Sequence, residues 1–188
     1  MQGVSSEERM SECPVALVVA QPRRHTWALE EAWDLAVSID PETSRAVETG
    51  YPGVILIYSG RAAPLDVARR AIAVELGFIQ RVVPAVICGR IRESREAYSM
   101  FETALKILPA GVGKVLFISS LRGSSKDMVD VARLSEILAR AGLKPVKRGA
   151  QEVVDVEGVD DILIISPGII RKCGLRCIVV YPVHTAVK

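Results

Sequence analysis

The residues with the clearest chemical potential lie in a short basic turn, residues 121–126. Residues 114–120 before it are apolar and β-prone, and from Asp127 onward apolar residues recur at helical spacing. The turn is therefore predicted where a strand ends and a helix begins. Arg122 and Lys126 would lie beside the free N–H groups of the first helical turn, a favourable place to hold a phosphate.

The same turn contains a glycine and two serines. Gly123 would allow the backbone to approach a phosphate closely, because it has no side chain. Ser124 or Ser125 would cap the helix or donate a hydrogen bond to the same phosphate oxygen. Since solvated basic side chains contribute within about 0.5 kcal/mol to folding, replacing Arg122 or Lys126 is predicted to weaken anion binding and leave stability almost unchanged.

Other basic residues fall in predicted loops next to strand ends. Arg90 and Arg92 lie in a predicted boundary segment, and Lys114 begins the central strand. Lys144, Lys147 and Arg148 follow the central helix, and Arg171 and Lys172 precede the last strand. Each alone is more often a solvated surface residue. Side chains from separate loops can nevertheless converge on one anion-binding face.

The charge distribution favours the second half of the chain as the anion-binding part. Up to Arg92 the chain has 10 basic and 11 acidic residues, whereas the remainder has 14 basic and 11 acidic residues and all of the lysines. The formal net charge of +2 argues neither for nor against an anionic partner. The asymmetry indicates two segments with different roles.

Patterns for nucleotide, metal or nucleophilic chemistry are incomplete. Residues 111–114 resemble the end of a P-loop, but Leu108 and Val115 stand where the motif needs glycine and a hydroxyl residue, and a strand follows where a helix should. Cys173, Cys177 and His184 do not form a recognised zinc pattern. We therefore predict no catalytic residue, no metal site and no cofactor.

An acidic group near Gly158 leaves one alternative open. Asp155, Glu157, Asp160 and Asp161 are interpreted as turn and strand-edge residues. The alternative interpretation is that these carboxylates are the catalytic groups of a metal-dependent enzyme.

The cysteines allow disulfides. Cys173 and Cys177 are expected to be close enough to bond, whereas Cys13 and Cys88 should pair only if their Cα atoms approach within about 7 Å. The chain contains no asparagine, which is one mark of a thermophilic source, and some hyperthermophiles retain intracellular disulfides.

Length and hydropathy predict a globular, cytoplasmic protein. The 188 residues are 49% hydrophobic, enough for a substantial core. No run reaches the roughly 18 apolar residues needed to cross a bilayer. Residues 1–12 are polar and acidic, so no signal peptide is expected.

The order of predicted elements favours two α+β units. Residues 15–87 alternate strand, helix, strand, helix and strand, with room for a short strand near residues 44–48, as in a ferredoxin-like sandwich. A new helix pattern starts at Glu93, and residues 89–92 are the predicted boundary. The second unit would have its own mixed sheet around the strand that begins at Lys114.

These segments together resemble the THUMP family of RNA-binding modules. The resemblance rests on residues 93–108 as the leading helix, 114–123 as strand and basic turn, 134–142 as the next helix, and 153–157 with 162–165 as closing strands. Residues 51–58 and 79–84 resemble the ferredoxin-like domain that accompanies THUMP. The implied fold class is α+β, with a ferredoxin-like N-terminal sandwich over residues 13–90 and a THUMP-type α/β domain with a mixed sheet over residues 91–183.

The resemblance also implies a function. Many members carry a fused methyltransferase, deaminase or sulfur-inserting synthetase, none of which is expected in this chain. It is similar instead to stand-alone THUMP proteins that help a separate acetyltransferase to form N4-acetylcytidine in tRNA. We therefore expect a non-enzymatic adaptor in tRNA modification, which binds the acceptor end of tRNA through its phosphates. The alternative is a regulatory domain that binds a small ligand.

The expected RNA contacts are the basic, glycine and serine residues of the predicted turn, boundary and loops. They are Arg90, Arg92, Lys114, Arg122, Gly123, Ser124, Ser125, Lys126, Lys147 and Arg148.

Overall fold

The computed structural model describes residues 13–183, so His184 and residues 1–12 lie outside it. Strands and helices follow the order β1 Ala16–Ala20, α1 His25–Ile39, β2 Arg45–Glu48, β3 Val54–Tyr58, α2 Pro64–Val74, β4 Ile79–Pro84, β5 Ile87–Arg90, α3 Ser94–Leu105, β6 Lys114–Arg122, α4 Ser124–Met128, α5 Val131–Arg140, β7 Lys144–Val146, β8 Glu152–Val159, β9 Ile162–Lys172 and β10 Ile178–Pro182. The fold is α+β with a mixed sheet, as expected. Among the helices described, none is long and apolar enough to cross a membrane.

The strands form one sheet in the order β2-β3-β1-β4-β10-β9-β8-β6-β7, with β5 paired to β9. The expectation of two separate sheets is therefore wrong. The reason is β10, which runs antiparallel to β9 and parallel to β4, and so joins the two halves. The boundary between residues 13–90 and 91–183 stays a prediction, and so does the ferredoxin-like assignment of the first four strands.

In each half of the sheet, helices pack against one face. Side chains alternate between the two faces of a strand, so the other face carries apolar residues as well. Ala32 of α1 and Ala71 of α2 pack with Val18 and Val82 on one half, while Phe101 of α3 packs with α5 and β8 on the other. On the opposite face, side chains from both halves meet in a third cluster formed by Leu17, Val54, Leu56, Val83, Ala85, Val159, Ile162 and Ile164. The helix-free faces of the two halves therefore pack against each other.

The predicted central helix is divided into two. Helix α4 has only five residues, and Val129 then adopts an extended conformation. Asp130 begins α5 as its N-cap, with its carboxylate accepting a 2.8 Å hydrogen bond from the N–H of Ala132. An aspartate at this position favours a new helix start over continuation of the old one. The long helix expected to start at the basic turn is thus replaced by the short α4, and phosphate binding by this turn stays a prediction.

Candidate nucleic-acid interface

The ten predicted contact residues do not form one cluster. Strands β7 and β8 both run parallel to β6, so all three start at the same end of the sheet. Along the nine residues of β6, Lys114 and Arg122 are about 26 Å apart. The structure thus places Lys114, Lys147 and Arg148 near one end of the sheet and the other seven near the opposite end.

We call the first of these the basic end, formed by Lys114, Lys144, Lys147, Arg148, Arg171 and Lys172. Lys114 and Lys144 lie side by side in the parallel register of β6 and β7, and both are exposed. Lys147 and Arg148 lie in the connection that leads to the start of β8. Within residues 13–183, no ion pair involves any of the six. Like charges facing each other across strands are destabilising unless an anion lies between them.

Three members of the basic end were recognised in the sequence as loop cations but were not among the ten predicted contacts. Strand β9 runs antiparallel to β8, so Arg171 and Lys172 at its end lie beside the start of β8. Lys144 faces Lys114 only because β7 pairs with β6. Their charge was visible in the sequence, whereas their proximity depends on strand order and register.

The other end of the sheet, here called the turn end, is largely occupied by internal contacts. The Arg122 guanidinium donates a 2.6 Å hydrogen bond to buried Glu157. Ser125 is fully buried, and its hydroxyl donates to the carbonyl of Arg122 at 2.7 Å. The predicted picture of a solvated Arg122 beside an accessible Ser125 is therefore wrong; Ser124 and Lys126 remain exposed.

The boundary arginines belong to the turn end. Arg90 contacts both carboxylate oxygens of Asp161, at 2.8 and 2.7 Å. Arg92 is exposed in the following loop. A role in RNA binding for either residue stays a prediction.

Gly123 lies very close to two side chains from other segments of the chain. It has a φ of +62°, and an added Cβ would overlap Asp160 Oδ1 and the Tyr51 hydroxyl, which are themselves hydrogen-bonded at 2.5 Å. The Tyr51–Asp160 hydrogen bond joins the segment before β3 to the β8–β9 turn.

Gly123→Ala is therefore expected to lower the free energy of unfolding by about 1–3 kcal/mol, through backbone strain and displacement of the Tyr51–Asp160 pair. Chemical denaturation measures this loss. Gly111→Ala is the matched control for backbone strain alone, because Gly111 has a φ of +86° with nothing within 4 Å of an added Cβ. Equal losses in the two variants would contradict the role of the close approach.

Between the halves lies a buried charged cluster of Arg81, Arg122, Asp155 and Glu157. Both acids are fully buried on β8, so their assignment to a strand edge and turn is wrong; only Asp160 and Asp161 form the β8–β9 turn. Arg81 of β4 hydrogen-bonds Glu157 and lies 3.3 Å from Asp155. The cluster connects β4, β6 and β8 across the interface of the halves.

Asp155 is the least satisfied member of this cluster. Its contact with Arg81 is an ion pair without hydrogen-bond geometry, and neither carboxylate oxygen has a hydrogen-bond partner. Burial, together with the neighbouring Glu157 carboxylate, raises the pKa of Asp155 to about 8, against the lowering effect of Arg81. Within the described chain, no group of three or more histidine, cysteine or acidic residues is arranged to hold a metal ion.

Both cysteine pairs are bonded. Cys173 and Cys177 have Cα atoms 5.0 Å apart, as predicted. Cys13 and Cys88 meet the distance condition, with Cα atoms 5.9 Å apart, and also form a disulfide.

Comparison with known proteins supports the fold. No protein-family model and no curated protein matches the chain. Several solved structures do match it. PH1313 from Pyrococcus horikoshii Ot3 has a TM-score of 0.54 and 12% sequence identity, and the match covers 83% of this chain and 57% of that one. TrmN from Thermus thermophilus has a TM-score of 0.52 at 18% identity over 81% of this chain and 44% of that one. This chain thus spans about half the length of each.

A third match is a 4-thiouridine synthetase–RNA complex with bound ATP, with a TM-score of 0.49 and 15% identity over 82% of this chain and 40% of that one. PH1313 and TrmN are THUMP-containing tRNA modification proteins, and the fold described here is accordingly THUMP-like. The expectation that the chain is not an enzyme is contradicted by this comparison, because PH1313 and TrmN are tRNA modification proteins.

Proposed function

We propose that this chain is a tRNA-binding unit in tRNA modification, which presents tRNA to a separate acetyltransferase for N4-acetylcytidine formation. The observation that carries the binding role is the alignment of Lys114 with Lys144, flanked by Lys147 and Arg148. The THUMP-like fold supports the same role.

The chemistry of the basic end suits a phosphate backbone. Its six cations are supplied by three strands and one connection, without a carboxylate paired to any of them in the described chain. Exposed aromatic rings are absent from this set of residues, so contacts would be to phosphate and backbone shape rather than by base stacking. Such contacts favour RNA without strong sequence preference.

Lys114→Ala/Lys144→Ala is expected to weaken binding of unrelated tRNAs equally and to lower the slope of log K against log salt by about 1.4–1.8, which corresponds to two lost phosphate contacts. Folding stability should stay the same or rise slightly, because a like-charge pair is removed. Filter binding at several salt concentrations and thermal melting measure the two effects.

Arg69→Ala supplies the control, since Arg69 is an exposed cation on α2 with no ion pair among the described residues. Lys126→Ala tests the turn end separately. Wild-type affinity in the double variant would refute the basic end as the interface, and a loss confined to Lys126→Ala would move the interface to the turn end. The acetyltransferase step is tested by measuring N4-acetylcytidine in tRNA after reconstitution with and without this chain.

A further inference from the structure

A disulfide-closed loop between β9 and β10 projects from the basic end. Residues 173–177 are closed by the Cys173–Cys177 bond and by a 3.1 Å hydrogen bond from the N–H of Cys173 to the carbonyl of Cys177. The carbonyl of Cys173 also accepts a 2.6 Å hydrogen bond from the N–H of Leu76. Both cysteines are buried, so the loop is fixed to the body of the protein.

The tip of this loop carries an apolar and a cationic side chain. Leu175 is 97% exposed, the highest value among the exposed large hydrophobic residues described. Arg176 is exposed, and Arg171 and Lys172 precede the loop. In the described part of the chain, none of these three cations forms an ion pair. A rigid loop loses little conformational freedom when it binds a ligand.

Arg176 also lines a cleft of about 350 Å³, together with Val19, Gln80, Arg81 and Ile178. Val19 and Ile178 give it apolar walls, and the Gln80 amide offers both donors and an acceptor. The Arg81 guanidinium is already engaged by buried Glu157. Arg176 is therefore the cation available to a ligand in this cleft.

The cleft adjoins the end of β9, which carries Arg171 and Lys172 of the basic end. Strand β10 starts opposite the end of β9, and β4 runs parallel to β10. Along the ladders, β9 lies between β8 of the second half and β10, whose start lines the cleft. Arg171 and Lys172 therefore lie between the rest of the basic end and the cleft.

We propose that the loop of residues 173–177 and this cleft bind a nucleotide from a single-stranded segment of RNA. Arg176 contacts its phosphate, Leu175 packs against the sugar or base, and Gln80 hydrogen-bonds the base edge. This inference rests on the proposed tRNA-binding function. It adds a contact formed partly by the N-terminal half of the chain.

The test uses fluorescence anisotropy with labelled tRNA and with a labelled single-stranded RNA tetranucleotide. Arg176→Ala is expected to weaken binding of both ligands about three- to tenfold, as for loss of one hydrogen-bonded contact, and to lower the salt slope by about 0.7. Leu175→Ala should weaken binding without changing the salt slope, because no charge is lost. Both side chains are exposed, so the melting temperature should not change.

The outcomes separate this inference from the proposed function. If Leu175→Ala and Arg176→Ala bind like the wild type while Lys114→Ala/Lys144→Ala binds weakly, the nucleotide site is refuted and the tRNA-binding function stands. If the wild type binds no tRNA, the proposed function fails. Displacement of the tetranucleotide by an equal concentration of inorganic phosphate would show a simple anion site, and a Leu175 effect seen only on binding to anionic phosphatidylglycerol vesicles would show a membrane contact; either would overturn the proposal.

Discussion

Glu157→Gln is expected to lower the free energy of unfolding by about 3–5 kcal/mol. Glu157 is fully buried and accepts hydrogen bonds from the guanidinium groups of Arg81 and Arg122. The side chains of these arginines are only 14% and 22% exposed. Without the carboxylate, two poorly solvated cations would face each other between the halves of the sheet. Urea-induced unfolding, followed by circular dichroism, measures the loss.

Glu136→Gln provides the matched control. Glu136 pairs with Arg133 at 2.5 Å on the exposed face of α5, where a pair at this helical spacing contributes about 0.3–0.5 kcal/mol. A loss below about 1 kcal/mol in Glu157→Gln would contradict the structural role of the cluster. It would also mean that Arg122 can leave Glu157 at little energetic cost and bind a phosphate.

The second large effect is a dependence of stability on pH caused by Asp155. Burial raises the pKa of Asp155 to about 8 in the folded protein, while an unfolded aspartate has a pKa near 3.8. Between these values the folded state binds a proton that the unfolded state does not. The contribution of Asp155 to stability is therefore fully present below pH 4 and is lost as pH rises toward 8, with a slope of at most about 1.4 kcal/mol per pH unit.

Asp155→Asn isolates this contribution, because the amide is nearly isosteric and does not titrate. As pH rises from 4 to 8, the unfolding free energy of the wild type is expected to fall relative to that of Asp155→Asn. A difference that is constant over this range would show that Asp155 is already ionised in the folded protein. The Arg81 guanidinium, 3.3 Å away, would then be strong enough to offset burial.

Local patterns in the sequence predicted most of the secondary structure. The apolar run before Gln21 is β1, Pro64 is the first residue of α2, and the apolar segment after Lys114 is β6. These signals act over a few residues, through side-chain spacing and the fixed φ of proline. The THUMP resemblance was likewise carried by element order and apolar spacing, and the solved structures support it at the level of the fold.

Long-range pairing decided what local patterns could not. Arg122 looked like a solvated phosphate ligand because its partner, Glu157, is 35 residues away and meets it only across the β6–β8 ladder. Asp155 and Glu157 looked like turn residues because acidic side chains are rarely buried, and their burial depends on Arg81 from the other half of the chain.

The sequence by itself determined the α+β class, most of the elements, and the excess of basic residues in the second half. Only the tertiary structure decided that β10 joins both halves into one sheet, that Lys144, Arg171 and Lys172 stand beside Lys114, and that the basic turn is largely occupied by internal contacts. The physical reason is that strand order and register are fixed by burial over the whole chain. A residue's neighbours in a sheet therefore come from segments that local spacing does not connect.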